Sequence, residues 1–178
     1  NTLLVGDFLL VNKAVFGMSV PFTRLRSPAF DQPERGDIVV FVPPHERDRN
    51  YVKRVVGVPG DTLEMHSKTL YVNGSAQTEP YAHYTDRADV YATSMTWQCD
   101  FVVPASRGTC NPTRDNWGPI VVPEQRYFML GDNRDDSEDS RYWGFAARDA
   151  LKGEPLMLYY SFDAGSTRPM PWLTNIRW

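Results

Sequence analysis

The chain has 178 residues, 42% of them apolar, enough for a single core or for a core with a sizeable insertion. A formal net charge of −3 and a pI near 5.6 argue against a nucleic-acid-binding surface. Fourteen Pro and twelve Gly suit a turn-rich β protein better than a helical one, and no apolar run approaches the ~20 residues of a membrane span.

Residues 3–11 read as a strand broken by the Gly6-Asp7 turn signal, and 15–22 as part of a hairpin punctuated by Gly17 and Pro21. A loop over 26–37 leads into IVVFVPP at 38–44, an apolar run of strand length and therefore a buried strand. The charged turn HERDRN precedes YVKRVVGVPGD at 51–61, a β-branched strand ending in a Pro-Gly-Asp turn. Alternation puts Tyr51, Lys53 and Val55 on one face and Val52, Arg54 and Val56 on the other. Thr62–Met65 and Thr69–Val72 form a hairpin, with Asn73-Gly74 as a further turn.

Polar residues and isolated aromatics dominate 75–119, which reads as an insertion or a less regular lobe. Core-like pattern returns at 120–133, EPLMLYYSF at 154–162 is another strand, and the expected short helix lies around Ala146–Leu151. The fold class is all-β with few short helices. The core is expected to span 1–62 and 120–178, with an inserted lobe over 63–119.

Cys99 and Cys110 enclose ten residues and lack the C-x-x-C spacing of a redox or zinc site. A disulfide between them would close a short loop, worth about 3 kcal/mol in the entropic model, and would point to an oxidising compartment. His45, His66 and His83 stand without second ligands at i+2 or i+4, so a zinc site is not expected, and no metal or organic cofactor is implied. G-x-S-x-G, P-loop and G-x-G-x-x-G motifs are missing. The acidic run GDNRDDSEDSRYWGF at 131–145 fails as a calcium loop: counted from Asp135, the sixth position is Ser140 instead of Gly and the twelfth is Ala146 instead of Glu. Its alternating Asp and Arg suggest a loop braced by internal ion pairs, and Tyr142-Trp143-Gly144-Phe145 anchors its end.

Lys53 on its apolar strand has two readings from the residues alone. One is an edge or snorkelling lysine; the other is a desolvated amine with a lowered pKa, able to take a proton from a nucleophile.

Four segments resemble the type I signal peptidases, membrane-bound serine proteases that remove signal peptides from preproteins. They are NTLLVGDFLLVNK at 1–13, RGDIVVF at 35–41, YVKRVVGVPGD at 51–61 and GDNRDDSEDSRYWGF at 131–145. The resemblance implies a signal-peptidase-like antiparallel β-sheet or barrel core and a Ser-Lys mechanism, with Lys53 as general base at a pKa below about 8. Ser137 matches the serine that orients the lysine, Asp139 and Arg141 match the pair that braces its loop, and Arg54 takes a structural role. Leu3, Leu9, Val40, Tyr51 and Val52 match the apolar lining for a substrate bound as an extended strand and cut after Ala-x-Ala. Plain core packing accounts for Leu9 and Val40 nearly as well.

By the same resemblance the nucleophilic serine lies three positions before Asn1, and these 178 residues alone are expected not to hydrolyse peptides. The expected partners are preprotein signal peptides and the membrane, reached through an upstream span and an aromatic patch of Trp172 and Trp178 with Tyr159. The expected location is the extracytoplasmic face of the bacterial cytoplasmic membrane. Two other readings stay open: a LexA-like or UmuD-like self-cleaving protein, and a non-catalytic binder of extended peptides.

Overall fold

The computed structural model describes residues 7–17, 31–103 and 110–161. Ten strands form two antiparallel sheets: β1 (Asp7–Asn12), β2 (Ile38–Phe41), β3 (Tyr51–Gly57), β4 (Thr62–His66), β5 (Thr69–Val72), β6 (Ser75–Ala76), β7 (Trp117–Val121), β8 (Arg126–Leu130), β9 (Ala146–Ala147) and β10 (Leu151–Ser161). The six-stranded sheet runs β1-β10-β2-β3-β8-β9, and the four-stranded sheet runs β6-β5-β4-β7. The fold is mostly β with few helices.

Alternate residues of β3 and β8 feed two cores, because successive side chains in a strand point to opposite faces. Val55, Tyr127 and Met129 join Val39, Phe41 and Leu151 on one face. Val56, Phe128 and Leu130 join Leu63, Met65, Leu70, Trp117 and Ile120 on the other. The second core is shared between the two sheets, so the four-stranded sheet is packed onto the larger one.

The β4–β5 hairpin closes on His66 and Thr69. Its two-residue turn holds Ser67 and Lys68 at φ 47° and 69°, the left-handed geometry that suits right-twisted strands but costs a residue with a Cβ. Tertiary contacts offset that cost: the Ser67 N–H donates to Asn116 Oδ1 at 2.9 Å and the Lys68 N–H to the Asp115 carbonyl at 3.3 Å.

The helix expected around Ala146–Leu151 is not there. Ala146–Ala147 form β9 against Arg126–Tyr127, and only Arg148–Ala150 make a 3₁₀ turn. The α-helix is instead α1 (Ser140–Trp143), inside the acidic segment read as a loop. Asp139 starts it, its carboxylate accepting the Arg141 N–H, as an N-cap aspartate does. Within 75–119, residues Thr93–Asp100 form a 3₁₀ helix, and Cys99 at its end is disulfide-bonded to Cys110.

Candidate active site

The register of β2 against β3 sets the site. Val39 lies opposite Lys53 and Val40 opposite Val52. Tyr51 and Lys53 therefore share one face, and Val40, Val52 and Arg54 the other. Pairing of β3 with β8 begins only at Arg54. Tyr51–Lys53 thus have β2 on one side and no strand partner on the other among the described residues.

Lys53 Nζ donates to Ser137 Oγ at 2.8 Å, across 84 residues of sequence. Burial pulls the Lys53 ammonium below its ordinary value. Asp139 opposes that, Arg141 reinforces it, and Glu138 and Asp136 oppose it more weakly. A neutral amine that donates one N–H to Ser137 keeps its lone pair to accept a proton.

Ser137 stands on the segment between β8 and α1. Asp139 is fully buried and receives Arg141 Nε and Nη2, both at 2.8 Å, and the Gly131 N–H at 3.1 Å. Burial alone would raise the Asp139 pKa, but the Arg141 guanidinium holds it below the usual carboxylate range. Arg141 Nη2 also donates to the Arg134 carbonyl at 2.6 Å and Nη1 to the Arg114 carbonyl at 3.3 Å. One guanidinium thus ties Asp139 to the Arg134 backbone within the segment and holds both to the Arg114 backbone.

The expected internal bracing is correct for Asp139 and Arg141 only. Arg134 leaves the segment and grips Glu79 at 2.6 and 2.7 Å. Asp132 receives Arg54 at 2.9 and 2.8 Å, while Arg54 also donates to the Gly36 carbonyl and stacks on the Tyr81 ring. Asp135 receives Lys68 at 2.7 Å. A buried charge must be compensated wherever a partner is found, and here most partners come from other elements.

Gly131 is a residue whose role the sequence reading missed. A Cβ built there would run into Ser137 Oγ, lie 2.6 Å from Ser137 Cβ and sit 3.4 Å from Lys53 Nζ. A glycine between an apolar strand and a polar loop is the available signal for such a close approach. Glu79 carried no signal, since nothing local marks it as the partner of Arg134. Tyr51 is half-buried and donates to Glu46 at 3.0 Å and Glu138 at 3.4 Å; burial and these carboxylates push its pKa up to about 12, so it keeps its proton.

A cleft of about 720 Å³ opens beside Ser137, between Pro44–His45 and Tyr142–Trp143. His45 stacks on Trp143 at 6.0 Å and contacts Glu138 at 3.2 Å. Of the expected substrate-lining residues, Val52 is half-buried and Val40 is 6% exposed. Leu3, Trp172, Trp178 and the side chains of Leu9 and Tyr159 lie outside the described residues. No helix among the described residues is long and apolar enough to cross a membrane.

A family model described as "Signal peptidase, peptidase S26" matches residues 1–160. A signal peptidase I of Pseudomonas aeruginosa is 40% identical over 149 residues, covering 80% of this chain and 51% of its own length. A signal peptidase I of Aquifex aeolicus is 32% identical over 202 residues, covering 94% of this chain and 74% of its own length. A crystal structure of a signal peptidase I from Enterococcus faecalis shares 32% identity over 69% of this chain and 96% of that one, at a TM-score of 0.47. The chain spans about half the length of the Pseudomonas relative. Since the family match spans most of its length, the chain belongs to the signal peptidase family, peptidase S26.

Proposed function

We propose that this chain belongs to a membrane-anchored serine endopeptidase that removes signal peptides after Ala-x-Ala sites by a Ser-Lys dyad. The observation that carries the reading is the 2.8 Å contact between Lys53 and Ser137, with burial lowering the lysine. The family resemblance puts the nucleophile three positions before Asn1. Its hydroxyl attacks the scissile carbonyl and gives its proton to Lys53 Nζ. Lys53 passes that proton to the leaving amine, then takes one from the water that opens the acyl-enzyme. Ser137 holds the amine in line, and Asp139 with Arg141 holds Ser137.

The substrate lies extended along the edge of β3 at Tyr51–Lys53 that has no strand partner among the described residues, pairing through its backbone. Val40, Tyr51 and Val52 line the places for its small side chains. Residues 1–62 and 120–178 form the catalytic core, and 63–119 an inserted lobe. The catalytic part faces the extracytoplasmic side of the bacterial membrane, a setting that suits the Cys99–Cys110 disulfide.

The test is cleavage of an Ala-x-Ala peptide by the intact protein. Cleavage should vanish when the serine three positions before Asn1 is replaced by Ala. A parent protein with no serine there would end the protease reading and leave a peptide-binding protein of the same fold.

A further inference from the structure

The carbonyl of Arg141 lies in a helix of four residues, too short to supply it with an intrahelical partner. It is instead satisfied from the lobe. Trp97 Nε1 donates to it at 3.1 Å and Gln98 Nε2 at 3.0 Å, so both lone pairs are used. The two donors are neighbours on the 3₁₀ helix Thr93–Asp100, whose Cys99 carries the disulfide.

Gln98 is fully buried, and its Oε1 has no hydrogen-bond partner among the described residues. A buried amide satisfied at one end only is a poorer core residue than an apolar side chain of its size. Its presence is accounted for by what its NH₂ group holds. Trp97 is wedged against Phe145 at 5.1 Å and would lie 3.9 Å from a Cβ on Gly144, so its ring fixes the far end of α1.

We infer that Trp97 and Gln98 are positioning residues for the Lys53–Ser137 pair, acting from the inserted lobe through Arg141. The path is short: the lobe fixes the Arg141 backbone, the Arg141 side chain fixes Asp139, and Asp139 holds the backbone of Gly131, whose Cα side Ser137 is packed against. This inference rests on Lys53 acting as the base. Lys53 faces Asp136, Glu138, Asp139 and Arg141 from the loop, Tyr51 from its own strand and Val39 across the ladder. When Arg141 drifts away, Lys53 loses a neighbouring positive charge and its pKa rises.

The experiment uses the intact protein and two variants. Gln98→Met removes a donor at nearly constant volume; Trp97→Phe removes the other donor and keeps an aromatic ring. For each, kcat on an Ala-x-Ala peptide should fall about tenfold or more, as expected for a small misplacement of a catalytic group. KM should stay nearly constant, and the acid limb of kcat/KM should move to higher pH. If Gln98→Met does not fold, Trp97→Phe carries the test. Folded variants with unchanged kcat and pH profile would overturn the inference while leaving the protease reading intact. If the unmodified protein does not cleave the peptide, the protease reading fails first. The Lys53 side-chain titration, followed by NMR in lysine-labelled protein, then decides the inference, and an unmoved titration in both variants rejects it.

Discussion

Lys53 and Lys68 touch the same segment two residues apart and are treated in opposite ways. Lys53 meets the neutral hydroxyl of Ser137. Lys68, on the β4–β5 turn, meets Asp135 at 2.7 Å and Asp115 at 3.2 Å. Burial lowers both amines, but the two carboxylates overturn that for Lys68 and raise it above its ordinary value, while Lys53 stays lowered. Whether burial leaves a half-buried lysine lowered or a partner raises it therefore depends on that nearest partner. A hydroxyl can orient an amine without favouring its charged form; a carboxylate cannot.

The comparison breaks most sharply at Lys53. Lys53→Met in the intact protein should lower peptide cleavage by roughly 10⁴-fold, as loss of a triad member does. The same variant should be more stable at neutral pH, by about 1.4 kcal/mol for each unit by which the Lys53 pKa is lowered. The sign follows from protons bound: between the folded and unfolded pKa values the unfolded chain holds the extra proton, so wild-type stability rises with pH through that window. Activity should rise as pH passes upward through the folded Lys53 value. Denaturant melts and a pH–rate profile check both.

Asp139→Ala leaves Arg141 charged and buried without its main partner and should cost about 3–5 kcal/mol in urea unfolding. The folded Asp139 pKa lies below the unfolded one, about 3.9. Its contribution is therefore full above that unfolded value and is lost as pH falls through the folded one. An acid titration of wild type against Asp139→Ala should show this stabilisation disappearing at the low end.

Gly131→Ala should lower kcat about 10²-fold, because the new methyl displaces Ser137 while the fold tolerates the change. Lys68→Met should have the smallest effect, about 1–2 kcal/mol of stability, since Arg114 remains beside Asp115 and Asp135 as a second cation. A pH–rate profile for Lys68→Met that shifted as far as that of Gln98→Met would blur the distinction between the two lysines.

Sequence pattern was a good guide wherever structure follows from neighbours in the chain. The β4–β5 hairpin, the Asn73-Gly74 turn, the buried strand over 38–41 and the strand over 51–57 come from period and turn chemistry, which act over a few residues. Resemblance to the signal peptidases pointed to Lys53, Ser137, Asp139 and Arg141 as one group, and they lie together. The helix at Ser140–Trp143 was not legible in a run of acids and was displaced to Ala146–Leu151, where strand pairing with β8 wins over local propensity.

The partnerships of the charged residues were decided by the tertiary structure. Arg134 chooses Glu79, 55 residues away, over the adjacent aspartates, and Arg54 chooses Asp132. Trp97 and Gln98 reach Arg141 across more than 40 positions. By itself the sequence determined the strands, the turns and which residue types were available for chemistry, because those depend on short-range sterics and burial periodicity. A lowered Lys53 was already implied by the resemblance, but that Lys68 is a raised amine was decided by the tertiary structure alone, because a pKa follows the charges and hydrogen bonds within a few ångströms, and folding brings those together from distant parts of the chain.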